Sequence, residues 1–552
     1  MSVVHGAPTP RSSTGWRDAI GAALIAAVSA AAIVAANVPT ADAPAHLYRT
    51  LLVRDGIPLW DNLWYGGHYP LASYSLLYYL PAALVGNLPL VIGASVISAA
   101  LFAAVVHDEW PVAGPWPARI FAVLVAGPLF TGTYSYALGL AALLGSVRAL
   151  QVGRTWLAVG CAALTLGFSP LAFVLLCLVL AATLLARRKA GRRTLLMAVA
   201  LLVLVGLELV ALVLFPYDGV YPFHFWALLA ALGVGGLGCL LSLQARRGAP
   251  LAAFFVLWML ASVGAYAVQT PLGANLVRIQ LLVFPLMLIA ALLAQMRPRL
   301  LVALALAAAF AYNSVPYALM ATQRVQSVYR TQTAWQPALA FLRRHANPNF
   351  RVEAVPTAEH WEAYYVPAAG FALARGWYRQ LDVAQNPLFY QPRLAPAAYR
   401  AWLRQLGVRY VLLPAGEIDS LGAQTEATLL ASGRSGLKAV YRDALWTIYT
   451  LPRPTPILSG PAKARLTFFG HARIAGRTAA PGRYTLRVRY MPYWRVVVGK
   501  VCLAPAKNGT SVLVVAKPGR FSLASDEEPG QVLENVVAAT NAQCAAPHKA
   551  KR

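Results

Sequence analysis

Long apolar runs fill the first 319 positions of the 552-residue chain, and few charged side chains interrupt them. A helix needs about 20 mainly apolar residues to cross the hydrocarbon core of a bilayer. Across the whole chain 59% of the residues are hydrophobic and only 12% are charged, and most of the charged residues lie after position 319. The pattern therefore predicts a polytopic α-helical membrane protein with a water-exposed C-terminal region.

We assign about eleven spans, several of them broken by Pro or Gly. The first exceeds the apolar core of a signal peptide and is followed by no convincing cleavage site, which predicts a retained anchor. The segments are 18–37, 88–106, 119–132, 134–150, 155–168, 170–186, 194–215, 223–243, 250–268, 279–296 and 300–318.

Basic residues in short loops predict the orientation, because such loops stay in the cytoplasm. Arginine and lysine cluster at 187–193, 246–247 and 297–299, all on one side of the assigned spans, together with the first arginines of the chain. We therefore expect a cytoplasmic N-terminus in the plasma (inner) membrane, with the loop 38–87 and everything after 319 outside. The apolar stretch Leu71–Val85 is assigned to the interface, since a further crossing would turn every later basic cluster outward.

The region beyond the membrane domain 1–319 divides into two predicted domains. Residues 320–455 alternate helical stretches with short buried strands, which predicts an α/β domain. Residues 456–552 carry short strands between Gly and Pro, which predicts a small β-sandwich-like domain with a frayed tail. Cys502 and Cys544 are candidates for a disulfide in an oxidising exterior.

The net charge of the C-terminal region limits the classes of molecule that it can bind. Residues 320–552 contain 30 Lys and Arg against 12 Asp and Glu, a net charge of +18. Such a field attracts anions. For a region outside the cell, this predicts that the partners are the membrane and an anionic lipid or envelope glycan, and that no nucleic acid is bound. Part of the positive charge is explained by solubility alone. No cofactor is indicated and no Cys or His spacing typical of a metal site occurs, although a bound divalent metal stays open.

The first outside loop carries the densest set of titratable groups. Asp42, His46 and Arg49 lie at helical spacing and would share one face. A carboxylate at the membrane surface, partly desolvated, is suited to act as a general base, so Asp42 is the candidate catalytic residue. The alternative is a structural role, with Asp42 capping the next helix.

Aromatic and polar residues alternate in the second part of this loop. Asp61, Trp64, His68 and Tyr69 combine ring faces with hydrogen-bonding groups, an arrangement that binds sugars. The alternative for the rings is an interfacial aromatic belt.

Two polar residues stand within or beside later spans. Glu208 interrupts the seventh span, and an acid inside a membrane segment is by default a functional-site hypothesis. Arg278 lies at the outer mouth of the tenth span, where it is placed to bind a lipid phosphate. A neutral buried Glu and an Arg that snorkels to ordinary head groups are the alternatives.

The C-terminal region adds a second candidate binding segment. His360 belongs to a His-Trp-Glu stretch, and Trp377 and Arg379 lie in an Arg-Gly-Trp-Tyr-Arg stretch. Both stretches combine ring faces with hydrogen-bonding groups, as carbohydrate sites do. Packing of these rings in the core of a small α/β domain is an equal alternative.

The chain resembles the GT-C class of membrane glycosyltransferases in its many spans, in Asp42 within ADAPAHLYR and in the following WDNLWYGGHYPL segment. The resemblance implies transfer of a hexosyl or pentosyl group from a polyprenyl-phosphate donor to an envelope glycan, lipid or protein acceptor. It implies Asp42 as the base and Arg278 as a ligand of the lipid phosphate. Inversion is expected, because a single base suffices for direct displacement.

The motif also departs from that class, which often has a second acid beside the first, whereas Ala43 and Pro44 follow Asp42 here. A metal-free mechanism or a lost activity would follow. The alternatives are thus a non-catalytic envelope assembly or lipid-binding scaffold and, with less support, a transporter or flippase. The chain also resembles bacterial membrane proteins labelled 6-pyruvoyl-tetrahydropterin synthase-related, but the zinc-binding His cluster of pterin chemistry is absent.

Overall fold

The computed structural model describes residues 13–37, 40, 42–57, 60–70, 75–187, 191–216, 219–294, 299–323, 327–525 and 543–544. The chain divides into two compact units. The first comprises 1–40, 75–210 and 220–324, and the second comprises 41–74, 211–219 and 325–552. The first loop after the N-terminal helix therefore groups with the C-terminal region rather than with the apolar helices.

The first unit is built from helices. Helix α2 (Ala43–Arg54) belongs to the second unit, and α10 ends within it. The other helices of the first part of the chain are α1 (Ser13–Ala35), α3 (Tyr79–Val85), α4 (Asn87–Glu109), α5 (Trp116–Leu124), α6 (Gly127–Thr131), α7 (Tyr134–Gln151), α8 (Thr155–Phe168), α9 (Pro170–Arg187), α10 (Arg192–Leu214), α11 (Phe225–Gln244), α12 (Ala249–Ala267), α13 (Gln280–Ala294) and α14 (Arg299–Gln323).

Six helices of the described part of the chain are long and apolar enough to cross a membrane. They are Gly15–Ala35, Asn87–Glu109, Arg192–Leu214, Phe225–Gln244, Ala249–Ala267 and Gly273–Ala294. Other apolar helices, among them α8 and α9, are shorter than the roughly 20 residues that a perpendicular span requires. The structure thus agrees with a polytopic helical membrane protein, while the count of eleven spans is not confirmed.

The interfacial segment Leu71–Val85 is described only from Ser75 onward. It contains the short helix α3, whose seven residues rise by about 10 Å. This rise is far less than the hydrocarbon thickness of about 30 Å.

Small residues let the helices of the first unit pack closely. A Cβ on Gly139 would stand 2.7 Å from the Cβ of Ser169, and a Cβ on Gly238 would stand 2.6 Å from the ring of Phe255. Such distances are possible only without a side chain. Glycine at these positions therefore allows the close helix contacts that are typical of membrane proteins.

The second unit begins with a four-stranded mixed sheet of order β1-β2-β4-β3, in which β1 and β2 are parallel and the other pairs antiparallel. Its strands are β1 (Arg351–Ala354), β2 (Val408–Pro414), β3 (Lys438–Arg442) and β4 (Trp446–Thr450). The helices around it are α15 (Gln332–His345), α16 (Glu362–Ala368), α17 (Arg379–Gln385), α18 (Pro396–Leu406) and α19 (Gln424–Ala431).

Two four-stranded antiparallel sheets follow, of order β10-β11-β8-β5 and β6-β7-β12-β9. Alternate residues of both sheets, such as Leu486, Leu513 and Leu523, share one buried core, as expected for a sandwich. The strands are β5 (Leu458–Ser459), β6 (Ala464–Phe469), β7 (Arg473–Thr478), β8 (Gly482–Arg489), β9 (Trp494–Val498), β10 (Val501–Pro505), β11 (Thr510–Val515) and β12 (Gly519–Ser525).

A disulfide joins Cys502 of β10 to Cys544, as the sequence predicted. The backbone N–H of Cys544 also donates to the carbonyl of Leu503. These contacts hold one short C-terminal piece against the edge of the sandwich.

Three backbone hydrogen bonds fasten the first loop within the second unit. The carbonyl of Leu63 accepts from Leu373 at 2.8 Å, and the carbonyl of Gly66 accepts from Arg489 at 2.8 Å. The N–H of Asn62 donates to the carbonyl of His471 at 2.8 Å. Residues 60–70 are thus an integral part of this unit and touch both its α/β and its sandwich portion.

Candidate functional site

Asp42 lies directly before helix α2, at the position that caps a helix N-terminus. Among the described residues its side chain makes no hydrogen bond to the helix backbone. Asp42 therefore does not cap α2, which was the alternative to a role as general base. Oδ1 instead accepts a hydrogen bond of 3.1 Å from the indole Nε1–H of Trp377. Oδ2 has no hydrogen-bond partner in the described part of the chain, and the residue is only partly buried. One oxygen is therefore held in place while the other is left without a hydrogen bond.

Trp377 is itself held by two side chains that the sequence named separately. The imidazole of His360 stacks on its ring, and the guanidinium carbon of Arg379 lies 4.7 Å from a ring centre. Only 5% of Trp377 is exposed. The structure thus brings together Asp42, His360, Trp377 and Arg379, four of the predicted site residues.

Asp419 contacts both of the side chains that hold Trp377. It accepts two hydrogen bonds of 2.8 Å from the guanidinium of Arg379, and it lies 3.7 Å from Nε2 of His360. Burial alone would raise the pKa of Asp419, but Arg379 and His360 hold it well below its ordinary value. The carboxylate is therefore ionised and fixes both partners by charge-assisted contacts.

Glu362 orients His360 from the other side. Nδ1 of His360 lies 3.1 Å from Oε1 of Glu362, whose Oε2 accepts from the N–H and the hydroxyl of Thr357 at 3.0 and 2.8 Å. Burial lowers the pKa of His360, yet the carboxylates of Asp419 and Glu362 outweigh it and raise that pKa. The ring is thus held between two acids, and through Trp377 it supports the position of Asp42.

Asp61 forms a second polar cluster in the same unit. Its buried carboxylate accepts from the hydroxyl of Tyr48 at 2.9 Å, from the N–H of Leu63 at 3.0 Å and from Nδ1 of His471 at 3.0 Å. Nε2 of His471 has no partner among the described residues, and 20% of the His471 side chain is exposed. A buried carboxylate that orients an imidazole with its second nitrogen open is an arrangement suited to proton transfer.

The histidines beside Asp61 titrate in opposite directions. Burial lowers the pKa of His68 to about 4, so this ring is neutral at physiological pH. Burial also lowers the pKa of His471, but the hydrogen bond and charge of Asp61 outweigh it and the net shift is upward. For Asp61 burial favours a higher pKa, and the two histidines together with the N–H of Leu63 turn the net shift downward.

The aromatic residues of the first loop pack inward. Trp64 is fully buried, donates to the carbonyl of Ala363 at 3.1 Å and stacks on Tyr48 with ring centres 4.5 Å apart. His68 and Tyr69 are 4% and 7% exposed. These three side chains are buried, so they are packed rather than exposed as the predicted stacking role requires: Trp64 stacks on His68 beside Asp61, and Tyr69 packs on Trp60.

His46 and Arg49 follow Asp42 along α2 but are fully buried. The guanidinium carbon of Arg49 lies 4.1 Å from the ring centre of Tyr378, a cation–π contact. The predicted common stripe exists, since both residues lie in one helix at the expected spacing. Because both side chains are fully buried, they do not line an open surface beside Asp42.

Glu208 and Arg278 belong to the first unit. Glu208 lies in α10 and is partly exposed. The backbone of Arg278 ends a 3-10 helix, Gly273–Arg278, and its side chain lies outside the described residues. Their predicted roles in ligand binding stay predictions.

The described residues contain no group of three or more His, Cys, Asp or Glu side chains that could hold a metal ion. Whether the protein binds a divalent metal therefore stays open, as it was from the sequence.

Two residues at the centre of these clusters were not predicted. Asp419 lies in the loop between β2 and α19, and His471 lies in the turn between β6 and β7. The contacts that place them in these clusters are not local, because Asp419 is 40 residues from Arg379 and His471 is 410 residues from Asp61. The sequence could have indicated only that Asp61, if buried, requires a partner of opposite charge, without showing which residue that partner is.

A comparison of the sequence with models of known protein families found no match, and a comparison with curated protein sequences found none either. Among solved structures, the chain is similar to the arabinofuranosyltransferase AftD from mycobacteria, with a TM-score of 0.48 and 16% sequence identity. The similarity covers 78% of this chain and 39% of AftD, so the chain spans well under half the length of that protein. A likeness of this degree carries no argument about donor, acceptor or mechanism.

Proposed function

We propose that this chain is a membrane glycosyltransferase that moves a hexosyl or pentosyl group from a polyprenyl-phosphate donor to an envelope glycan, lipid or protein acceptor. The observation that carries the proposal is the state of Asp42. It stands at the start of α2 and is partly exposed, with Oδ1 bound to Trp377 and no hydrogen bond to Oδ2 among the described residues. Such a carboxylate is oriented and accessible at once, which is what a general base requires.

In the proposed reaction Asp42 takes the proton of the acceptor hydroxyl while the acceptor oxygen forms a bond to the anomeric carbon. The bond between that carbon and the phosphate oxygen breaks, and the polyprenyl phosphate leaves with the electron pair. One base is enough for this displacement, so the anomeric configuration is inverted. Arg278 is proposed to bind the donor phosphate, and Glu208 to contact the substrate.

The location proposed for the reaction is the outer face of the plasma membrane, with the N-terminus in the cytoplasm. Basic loop clusters on one side of the apolar helices support this orientation. The disulfide between Cys502 and Cys544 supports an oxidising environment for the second unit.

A non-catalytic scaffold is the second candidate, and one observation favours it. Trp64, His68 and Tyr69, which would hold a sugar, are buried. In that case the second unit would bind anionic lipid or glycan through its positive charge and Asp42 would only anchor Trp377.

The experiment that tests the proposal uses purified full-length protein in membranes with a panel of radiolabelled polyprenyl-phosphate sugars. Transfer above that of membranes without the protein, with inverted configuration at the new linkage by NMR, is the expected result. No transfer from any donor, with the protein folded and membrane-inserted, would favour the scaffold.

A further inference from the structure

Arg351, the first residue of β1, is a fully buried cation with one edge that has no hydrogen-bond partner among the described residues. Its Nη1 donates to the carbonyl of Leu406 at 2.6 Å. Nε and Nη2 are buried and have no hydrogen-bond partner among the described residues. These two groups are the parallel N–H donors on one edge of the guanidinium, the edge that binds carboxylates and phosphates in a fork.

The charge of Arg351 is not balanced by the described part of the chain. No carboxylate oxygen there lies within 4.0 Å of it, whereas Arg375 and Arg379 both have such partners. Burial, followed by the positive charge of Arg487, lowers the pKa of Arg351 to about 9. A buried cation beside a second cation is unfavourable unless an anion joins it.

Gly66 of the first loop has no side chain to place against this edge of Arg351, and a Cβ added there would be 3.7 Å from Nη2. The ring of Phe469 lies over the guanidinium, with its centre 5.4 Å from Cζ. Arg487 is anchored by its own hydrogen bonds to Pro456 and Ser459. The guanidinium groups of Arg351 and Arg487 are thus each held by a hydrogen bond, while the Nε and Nη2 edge of Arg351 has no partner among the described residues.

We propose that the Nε and Nη2 edge of Arg351 binds an oxyanion that presents two oxygens in one plane, the chemistry shared by a phosphate group and a sugar carboxylate. Arg487 adds positive charge to the same site. The site is separate from Asp42 and does not depend on glycosyl transfer. It gives the second unit a specific anion contact beyond its general positive charge.

The test is thermal unfolding of the full-length protein in nanodiscs, followed by tryptophan fluorescence, in chloride and in inorganic phosphate at equal ionic strength and pH 7. We expect phosphate to raise the unfolding temperature of the wild type and of Arg344→Met, an exposed control in α15. We expect no phosphate effect in Arg351→Met. Glucuronate in place of phosphate distinguishes a preference for a carboxylate from one for a phosphate.

Arg351→Met is expected to fold, because it replaces an unbalanced buried charge by an apolar side chain of similar length. If it does not, equilibrium dialysis with radiolabelled phosphate compares the wild type with Arg351→Lys, which keeps the charge but loses the fork. The dissociation constant for phosphate is expected to be at least about tenfold higher in Arg351→Lys than in the wild type. Equal phosphate effects in the wild type and Arg351→Met, equal binding in the wild type and Arg351→Lys, or no phosphate effect in the wild type would overturn the proposal.

Discussion

Replacing Asp61 by Asn should destabilise the second unit strongly. The carboxylate accepts three hydrogen bonds, from Tyr48, Leu63 and His471. Asn keeps one accepting oxygen, so its amide NH2 must face at least one of these donors. A hydrogen bond to a charged group contributes about 1.5–3 kcal/mol, and a buried donor without an acceptor costs about 1–3 kcal/mol. We expect a combined loss of roughly 2.5–6 kcal/mol.

The assay is thermal unfolding of the full-length protein in nanodiscs, with Asp55→Asn as the control because Asp55 is an exposed residue of the same loop. For a unit of this size the expected decrease is roughly 5–25 °C. An Asp61→Asn protein that unfolds within about 1 °C of Asp55→Asn would refute the reasoning, because a change of a few tenths of a kcal/mol is typical of a surface substitution.

The pH dependence of the same variant gives a second check. The pKa of His471 is raised, so its contribution to stability is complete below the unfolded value of about 6.5 and is lost as pH rises through the folded value. The pKa of His68 is lowered to about 4, so stability falls as pH decreases from about 6.5 towards 4. The cluster is therefore most stabilising near pH 6.5, and Asp61→Asn should remove the decline above that pH.

Three further outcomes are expected. Trp377→Phe removes the hydrogen bond to Asp42 and should lower the rate of glycosyl transfer about tenfold at unchanged expression, measured with the best donor of the panel; an unchanged rate would mean that the bond does not position the carboxylate. Reduction of the disulfide, or Cys502→Ser, opens a loop of 42 residues and should lower the free energy of unfolding of the sandwich by about 4 kcal/mol, measured by denaturant unfolding. An unchanged free energy of unfolding would mean that the link to Cys544 does not stabilise the sandwich. Arg375→Met leaves buried carboxylates without their cation and should cost about 3–5 kcal/mol, so a soluble variant with wild-type stability would contradict its role.

The helices and many strands of this fold could be predicted, because apolar runs and alternation report burial directly. Helix α18 and its neighbouring strand β2 lie in the region predicted as α/β, and β9 lies in the region predicted as a sandwich. Strand β1 lacks the apolar pattern of a buried strand, because it carries Arg351 and Glu353 at buried positions. A buried strand with such residues is recognisable only when its partners are known.

The site was predicted in pieces. Asp42, Trp377 and Arg379 were each named for their chemistry, but the contact between Asp42 and Trp377 joins residues 335 positions apart. No local pattern encodes such a contact. For the same reason Trp64 was interpreted as a sugar platform, whereas Gly376 brings the backbone against its ring: a Cβ there would lie 2.5 Å from it. Residue type suggested the chemistry, and only the tertiary structure could separate an open side chain from a packed one.

The measurement that tests the central claim most directly is glycosyl transfer by Asp42→Asn, compared with Asp55→Asn and the wild type at matched expression. Asn is close in shape and can still accept the hydrogen bond from Trp377, so the fold should be kept while the base is lost. We predict that transfer disappears in Asp42→Asn and persists in Asp55→Asn. Transfer at the wild-type rate in Asp42→Asn would contradict the account and would direct the search for the base to His471.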